Sequence, residues 1–284
     1  MVALERAGIP VERYVAYEIE PDAIKVSENN YPMIEQKGDV FNAQYTEGEF
    51  DLLIGGSPCT YWSIARCPHA IDGKRETTSS GFGWELFCQY SRALKEVKPN
   101  WFLYENNASM SNEIKEEITR HLGVSPLLID SADFSAQNRQ RLYWTNIPVC
   151  LDHIKSKLTF ADVEYLTDVP QECVKTFQKY ESTMRDNGVV VSWDTSGKGN
   201  YSQQNRARRK NVKMNTLPSS GNDKNNIYLG GTCYRKIHPI EAERLQTLPD
   251  NYTSCIKSEI KRTELCGNGW TVDVIAHILK GINQ

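Results

Sequence analysis

Asp51-Leu-Leu-Ile-Gly-Gly-Ser-Pro-Cys59 is the stretch from which the rest of the chain is best read. A short apolar run of the kind buried on both faces of a sheet leads into two glycines and then into a cysteine after a proline. Open α/β sheets carry their chemistry on such loops, at the carboxyl ends of strands. Alone, a cysteine beside a proline is only a small apolar residue near a turn. Two later segments change its weight. Trp101-Phe-Leu-Tyr104 runs into Glu105-Asn106, and Gln137-Asn-Arg139-Gln-Arg141 precedes Leu142-Tyr-Trp144. A thiol, a carboxylate and two guanidiniums thus fall at strand ends.

Working outward, strand and helix patterns alternate. Met1 to Gly8 reads as a helix stopped by Gly8. Arg13 to Ile19 reads as a strand, and Pro21 suits the first turn of a helix running to about Asn30. Gly38-Asp39-Val40 reads as a short strand end. Gly83 to Val97 is helical, with Leu86, Phe87, Tyr90 and Leu94 on one face. Asn112 to Leu122 is a further helix, ended by Gly123. Pro126 to Ile129 is another strand. The alternation predicts an α/β fold with a doubly wound, mostly parallel sheet. From about Pro148 to Tyr228 the rhythm breaks into polar sequence with loop clusters. It returns at Pro239, and Asp273 to Ile282 places Val274, Ile275, Ile278 and Ile282 on one helical stripe. The division expected is a catalytic domain over 1–148 and 236–284 and a smaller domain over 149–235.

Composition narrows the class. The chain has 284 residues, 24% charged and 39% hydrophobic, which suits an ordinary globular protein. No apolar run reaches the 18 residues of a membrane span, and the N-terminus lacks a signal pattern. Eight cysteines are scattered without CxxC pairs, so reduced thiols in the cytoplasm are expected, with neither a disulfide frame nor a metal site. The net charge of −3 gives no support to nucleic-acid binding. Local charge does: Lys198 to Lys213 holds six basic residues and no acidic one. Such a run is either a solvated loop or, through Arg206, Arg208, Arg209 and Lys210, a contact to a phosphate backbone.

In order and spacing, Pro58-Cys59, Glu105-Asn106 and Gln137-x-Arg139-x-Arg141 resemble the motifs of the cytosine-5 DNA methyltransferases. Gly55-Gly-Ser-Pro-Cys59, Ile129-Asp-Ser-Ala132 and Trp270-Thr-Val-Asp-Val-Ile275 are most similar to the vertebrate de novo enzymes and their bacterial and phage relatives. The resemblance covers nearly the whole chain. It implies a methyltransferase fold, S-adenosylmethionine as cofactor, double-stranded DNA as partner, and a target-recognition role for the smaller domain. It implies Cys59 as nucleophile, Glu105 as the carboxyl at ring nitrogen 3, Arg141 at the ring carbonyl, and Arg139 at the ring or the Cys59 loop. Glu18 and Ile19 would hold ribose and adenine, and Asp39 and Val40 the adenine edge. Pro58, Asn268 and Trp270 would complete the cofactor site. The polar stretch Thr60 to Ser80 resembles the loop that closes over a flipped base, though an ordinary surface loop reads the same way.

Two features depart from the family. Its opening strand and glycine-rich turn have no counterpart before Met1-Val-Ala-Leu-Glu-Arg-Ala-Gly8, which aligns with the helix that follows them. The first strand is therefore expected to be absent from this chain, through an internal start or a real truncation, and the chain to bind S-adenosylmethionine poorly. Asn107 stands where the family usually has an apolar residue. Two alternatives stay open: a transfer-RNA cytosine-5 methyltransferase of the same fold, and an inactive DNA-binding relative.

Overall fold

The computed structural model describes all residues except 64–74, 153, 166–174, 177–188, 193–205, 210–212, 218–224, 231–232 and 284. For 175–176, 189–192, 206–209, 225–230 and 233–234 it describes the backbone alone. The order begins with α1 (Val2–Ala7), β1 (Val15–Ala16), α2 (Pro21–Asn30), β2 (Glu35–Gln36), β3 (Leu52–Gly55) and α3 (Phe82–Val97). It continues with β4 (Trp101–Asn107), α4 (Asn112–Leu122), β5 (Leu127–Asp130), β6 (Gln140–Thr145) and α5 (Phe160–Val163). Five short strands follow: β7 (Lys175–Thr176), β8 (Val189–Ser192), β9 (Arg206–Arg209), β10 (Asn225–Gly230) and β11 (Cys233–Lys236). The chain closes with α6 (Pro239–Leu245), α7 (Glu259–Asn268) and α8 (Val272–Leu279).

Most expected elements form where the sequence places them, and their punctuation explains why. α1 and α4 end on Gly8 and Gly123 at φ 72 and 71, left-handed angles that suit glycine. Two readings are corrected. The strand expected over Arg13 to Ile19 is only two residues long. Asp39 and Val40 do not end a strand: β2 stops at Gln36, and the Asp39 side chain caps a 3₁₀ turn over Val40–Asn42 by accepting from Phe41 N.

The central sheet has the order β3-β4-β6-β5 and is mixed. β3 pairs parallel with β4, whereas β6 pairs antiparallel with both β4 and β5. Strand alternation sorts its side chains between two helical layers. Phe102, Tyr104, Leu142 and Trp144 pack with Phe87 and Tyr90 of α3 and Ile114 and Ile118 of α4. Leu103 and Tyr143 face the other way and pack with Leu4 of α1 and Val274, Ile275 and Ile278 of α8. Helices therefore cover both faces, as the near-continuous apolar strands require.

β1 and β2 form a separate parallel pair. An apolar cavity of about 320 Å³ is lined by Tyr14 beside β1 and Ile54 of β3, with Val26, Trp270, Ile275 and Leu279. The five later strands form an antiparallel sheet in the order β7-β11-β10-β8-β9, with β9 at its edge. Phe160, Val163, Met214 and Leu217 pack with Ala136, Ile237 and Leu245 in a shared core. The backbone at Met214 is tied to the segment before β6, accepting from Asn138 N at 2.8 Å and donating to Ala136 O at 2.7 Å.

Candidate active site

β3 delivers the Gly56–Pro58 loop, and Cys59 opens a 3₁₀ turn over Cys59–Tyr61. The loop lies flat on the end of β4. A Cβ at Gly56 would sit 2.8 Å from the Glu105 carbonyl and 3.3 Å from its Oε2, so only glycine fits without a shift. The fully buried Asn106 amide donates to Ser57 O at 3.0 Å and Ser57 Oγ at 3.2 Å. The Tyr104 hydroxyl meets Ser57 Oγ at 2.7 Å. These bonds hold the cysteine loop against the strand that carries the carboxylate. Among the other described cysteines, burial pushes the thiols of Cys88 and Cys266 up, so neither readily forms a thiolate. Cys67 lies outside the described residues.

Glu105 is in β4, not after it, and is 7% exposed. Its cross-strand partner is Tyr143, and Arg141 is one step diagonal to it, within reach of a long side chain. Arg141 Nε lies 3.0 Å from Glu105 Oε1, and Arg141 also donates to Gln140 O at 2.8 Å. Burial raises the affinity of the Glu105 carboxyl for its proton, and Arg141, Arg139 and Trp270 pull it partly back. A carboxyl held this way suits proton donation as well as charge pairing.

Arg139 and Arg141 are brought to the same region but placed differently. Arg139 is 4% exposed and donates to three main-chain carbonyls: Leu217 O at 3.2 Å, Gly267 O at 3.0 Å and Gly269 O at 2.9 Å. Burial, then the Arg141 charge, lowers its pKa to about 10. The structure places it as a clamp between Leu217 and the turn before Trp270. Gln137 works beside it, donating to Leu245 O at 2.8 Å and accepting from Leu217 N at 3.1 Å. The Gln246 and Thr271 side chains extend this network, with Thr271 Oγ1 donating to Gln246 Oε1 at 2.9 Å and meeting Ser131 Oγ at 2.8 Å. Sequence reading missed both, because nothing in a polar residue near a helix end announces a partner more than a hundred positions away.

The residues expected at a cofactor follow the carboxyl ends of β1, β2 and β3 or lie at the turn before α8. Glu18 Oε1 accepts from Ile19 N at 2.8 Å and Glu20 N at 2.9 Å, which fixes the carboxylate and leaves Oε2 for a ligand hydroxyl. Ile19 is 71% exposed. Asp39 uses Oδ1 on Phe41 N, while Val40 is half-buried. Pro58 and Asn268 are exposed, and Trp270 is half-buried beside Gly56 and Glu105. Two aromatic residues were not singled out from the sequence. Phe41 and Phe82 stack in the open, with ring centroids 6.0 Å apart and planes at 16°. Their signal was legible only as two unremarkable phenylalanines 41 positions apart in the chain.

Of the basic run, Arg206, Arg208 and Arg209 form the edge strand β9, and Lys210 lies outside the described residues. Lys213 is spent on the structure, donating to Ser135 O at 2.9 Å and Leu158 O at 3.0 Å. Among the described residues no cluster could hold a metal ion, and no helix is long and apolar enough to cross a membrane.

The model of the C-5 cytosine-specific DNA methylase family matches residues 1–157 and 153–284. The chain belongs to that family. Its enzyme class is therefore that of the DNA cytosine-5 methyltransferases, whose methyl donor is S-adenosylmethionine. Among its relatives, the type II methyltransferase M.FnuDI of Fusobacterium nucleatum is 24% identical over 328 residues, covering 100% of this chain and 90% of that protein. The orphan methyltransferase M.SPRI of Bacillus phage SPR is 33% identical over 154 residues, covering 50% of this chain and 33% of that protein. Among solved structures, the Entamoeba histolytica methyltransferase EhMeth aligns with a TM-score of 0.66 at 13% identity, over 99% of this chain and 93% of that one. The S. pombe Dnmt2 methyltransferase aligns at 0.60 and 17% identity, over 98% and 93%. These likenesses carry the methylase fold across the whole chain.

Proposed function

We propose that this methylase transfers a methyl group to carbon 5 of a cytosine flipped out of duplex DNA, through a covalent adduct on Cys59. The observation that carries the reading is the Glu105–Arg141 pair at 3.0 Å, buried on the strand end that holds the Cys59 loop. Carbon 5 is a poor nucleophile. A Cys59 thiolate adding to carbon 6 forms a carbon–sulfur bond and moves the ring's electron pair toward carbon 5. Glu105 gives a proton to nitrogen 3 as charge develops there, and Arg141 donates to the ring carbonyl at position 2. When bound, S-adenosylmethionine supplies an electrophilic methyl carbon on a sulfonium. Loss of the carbon 5 proton to solvent, departure of the Cys59 thiolate and return of the nitrogen 3 proton to Glu105 then restore the ring.

The residues at the strand ends fit that cofactor. The pre-oriented Glu18 carboxylate, with Oε2 left over, suits a ribose hydroxyl. Exposed Ile19 and the stacked Phe41 and Phe82 offer apolar surface of the kind a purine covers. Trp270, Pro58 and Asn268 would border the other end, with Asp39 and Val40 at the adenine edge. We assign DNA backbone contact to Arg206, Arg208, Arg209 and Lys210, and target recognition to residues 149–235.

Duplex DNA carrying 5-fluorocytosine tests the chemistry, because fluorine at carbon 5 cannot leave as a proton and the adduct is trapped. The expected result is a covalent complex whose peptide map ends at Cys59, lost in Cys59→Ser while DNA binding persists. An adduct at another cysteine would overturn the assignment. Equal assays on duplex DNA and transfer RNA address substrate, a second reading that the structural likeness to S. pombe Dnmt2 keeps in view.

A further inference from the structure

Asn107 closes β4, directly after the two residues used above, and is 3% exposed. An amide in that position needs partners, since burying a polar group without them is costly. It has them on both sides. Its Nδ2 donates to the Cys59 carbonyl at 3.4 Å and to Asn106 Oδ1 at 3.0 Å. Its Oδ1 accepts from Ser109 N at 3.1 Å and Ser109 Oγ at 2.7 Å. The Ser109 carbonyl in turn accepts from Arg75 at 2.7 Å.

The neighbouring Asn106 amide holds the carbonyl of Ser57. The two consecutive asparagines therefore grip the carbonyls on either side of Pro58. Proline has no N–H with which to anchor itself. The same Cys59 carbonyl also accepts from Trp62 N and Ser63 N, which builds the 3₁₀ turn. An apolar side chain at 107 could fill the space but could not donate.

We propose that Asn107 is a positioning residue for the nucleophile: its amide fixes the Cys59 main chain and so aims the thiol. This rests on the reading of Cys59 as nucleophile. A misplacement of about 1 Å at a reacting group costs up to ~100-fold in rate, so a single donor at this point has leverage on the chemistry.

The test compares Asn107→Asp and Asn107→Val in the full chain. Asp keeps the shape and the acceptor for Ser109 but exchanges the donor for an oxygen facing the Cys59 carbonyl. Val removes both. Two measurements are made on each folded variant: the rate of adduct formation on 5-fluorocytosine duplex DNA, and the pH profile of Cys59 alkylation by iodoacetamide, read by mass spectrometry. The expected result is adduct formation slowed by roughly tenfold or more, with DNA affinity unchanged and the alkylation profile altered. Adduct and alkylation rates matching the parent chain in either folded variant would overturn the proposal. If the parent itself forms no adduct, the functional reading fails, and the alkylation profiles still decide the role of Asn107.

Discussion

Glu105 is the residue whose environment does most to set its behaviour. Burial disfavours its charged form more than Arg141, Arg139 and Trp270 favour it, so its pKa in the folded chain lies above the ordinary 4.5. The sign of the linkage follows. Between the unfolded value and the raised folded one, the native state holds the proton more tightly than the unfolded state does. Glu105 thus contributes stability below about pH 4.5 that is lost as pH rises through its folded pKa. Glu105→Gln should flatten this part of the stability profile, so parent minus variant stability falls with rising pH. Melting temperatures across that range check it. The same variant should lower kcat by roughly 100-fold or more, the scale of losing a positioned proton donor.

At the scale of elements, the β3–β4 junction and the Arg139 clamp hold the site together. Gly56→Ala would press a methyl group against the Glu105 carbonyl at 2.8 Å, contact that backbone can relieve only by moving. It should destabilise by about 1–3 kcal/mol and slow adduct formation as well, measured by denaturant melts beside the trapping assay. Arg139→Met leaves the carbonyls of Leu217, Gly267 and Gly269 without their donor. Leaving a buried acceptor unsatisfied costs about 1–3 kcal/mol, so destabilisation of at least that order is expected. Proteolysis should then open the chain near Gly269. Unchanged melting in Arg139→Met would show that the three carbonyls find other partners.

Over the whole molecule, the basic strand at the edge of the five-stranded sheet gives a prediction about DNA. Replacing Arg206, Arg208, Arg209 and Lys210 with Ala should weaken binding uniformly across sequences. The salt dependence should flatten by about 0.9 per lost phosphate contact. Fluorescence anisotropy from low to moderate salt reads the slope directly, and an unchanged slope assigns the run to solvent. Lys213 belongs to the same run in sequence but is predicted to leave the slope alone, since its ammonium is already held by Ser135 and Leu158 carbonyls.

By itself the sequence determined the alternation of strands and helices and the chemical groups at the strand ends. Those depend on local quantities: apolar runs at Asp51–Ile54 and Trp101–Tyr104, a proline at 21, glycines at 8 and 123. It also carried the order Cys59, Glu105, Arg141, because each lies in or just after its own strand. Only the tertiary structure decided what long-range packing decides. Arg139 and Arg141 are two positions apart and read alike, yet one is buried under three carbonyls and the other pairs with Glu105. Lys213 and its basic neighbours read alike, yet Lys213 is tied to the frame. Asn107 read only as a departure from the family pattern and is found on the Cys59 carbonyl. A side chain's reach and its burial depend on residues tens or hundreds of positions away, and no window along the chain contains them.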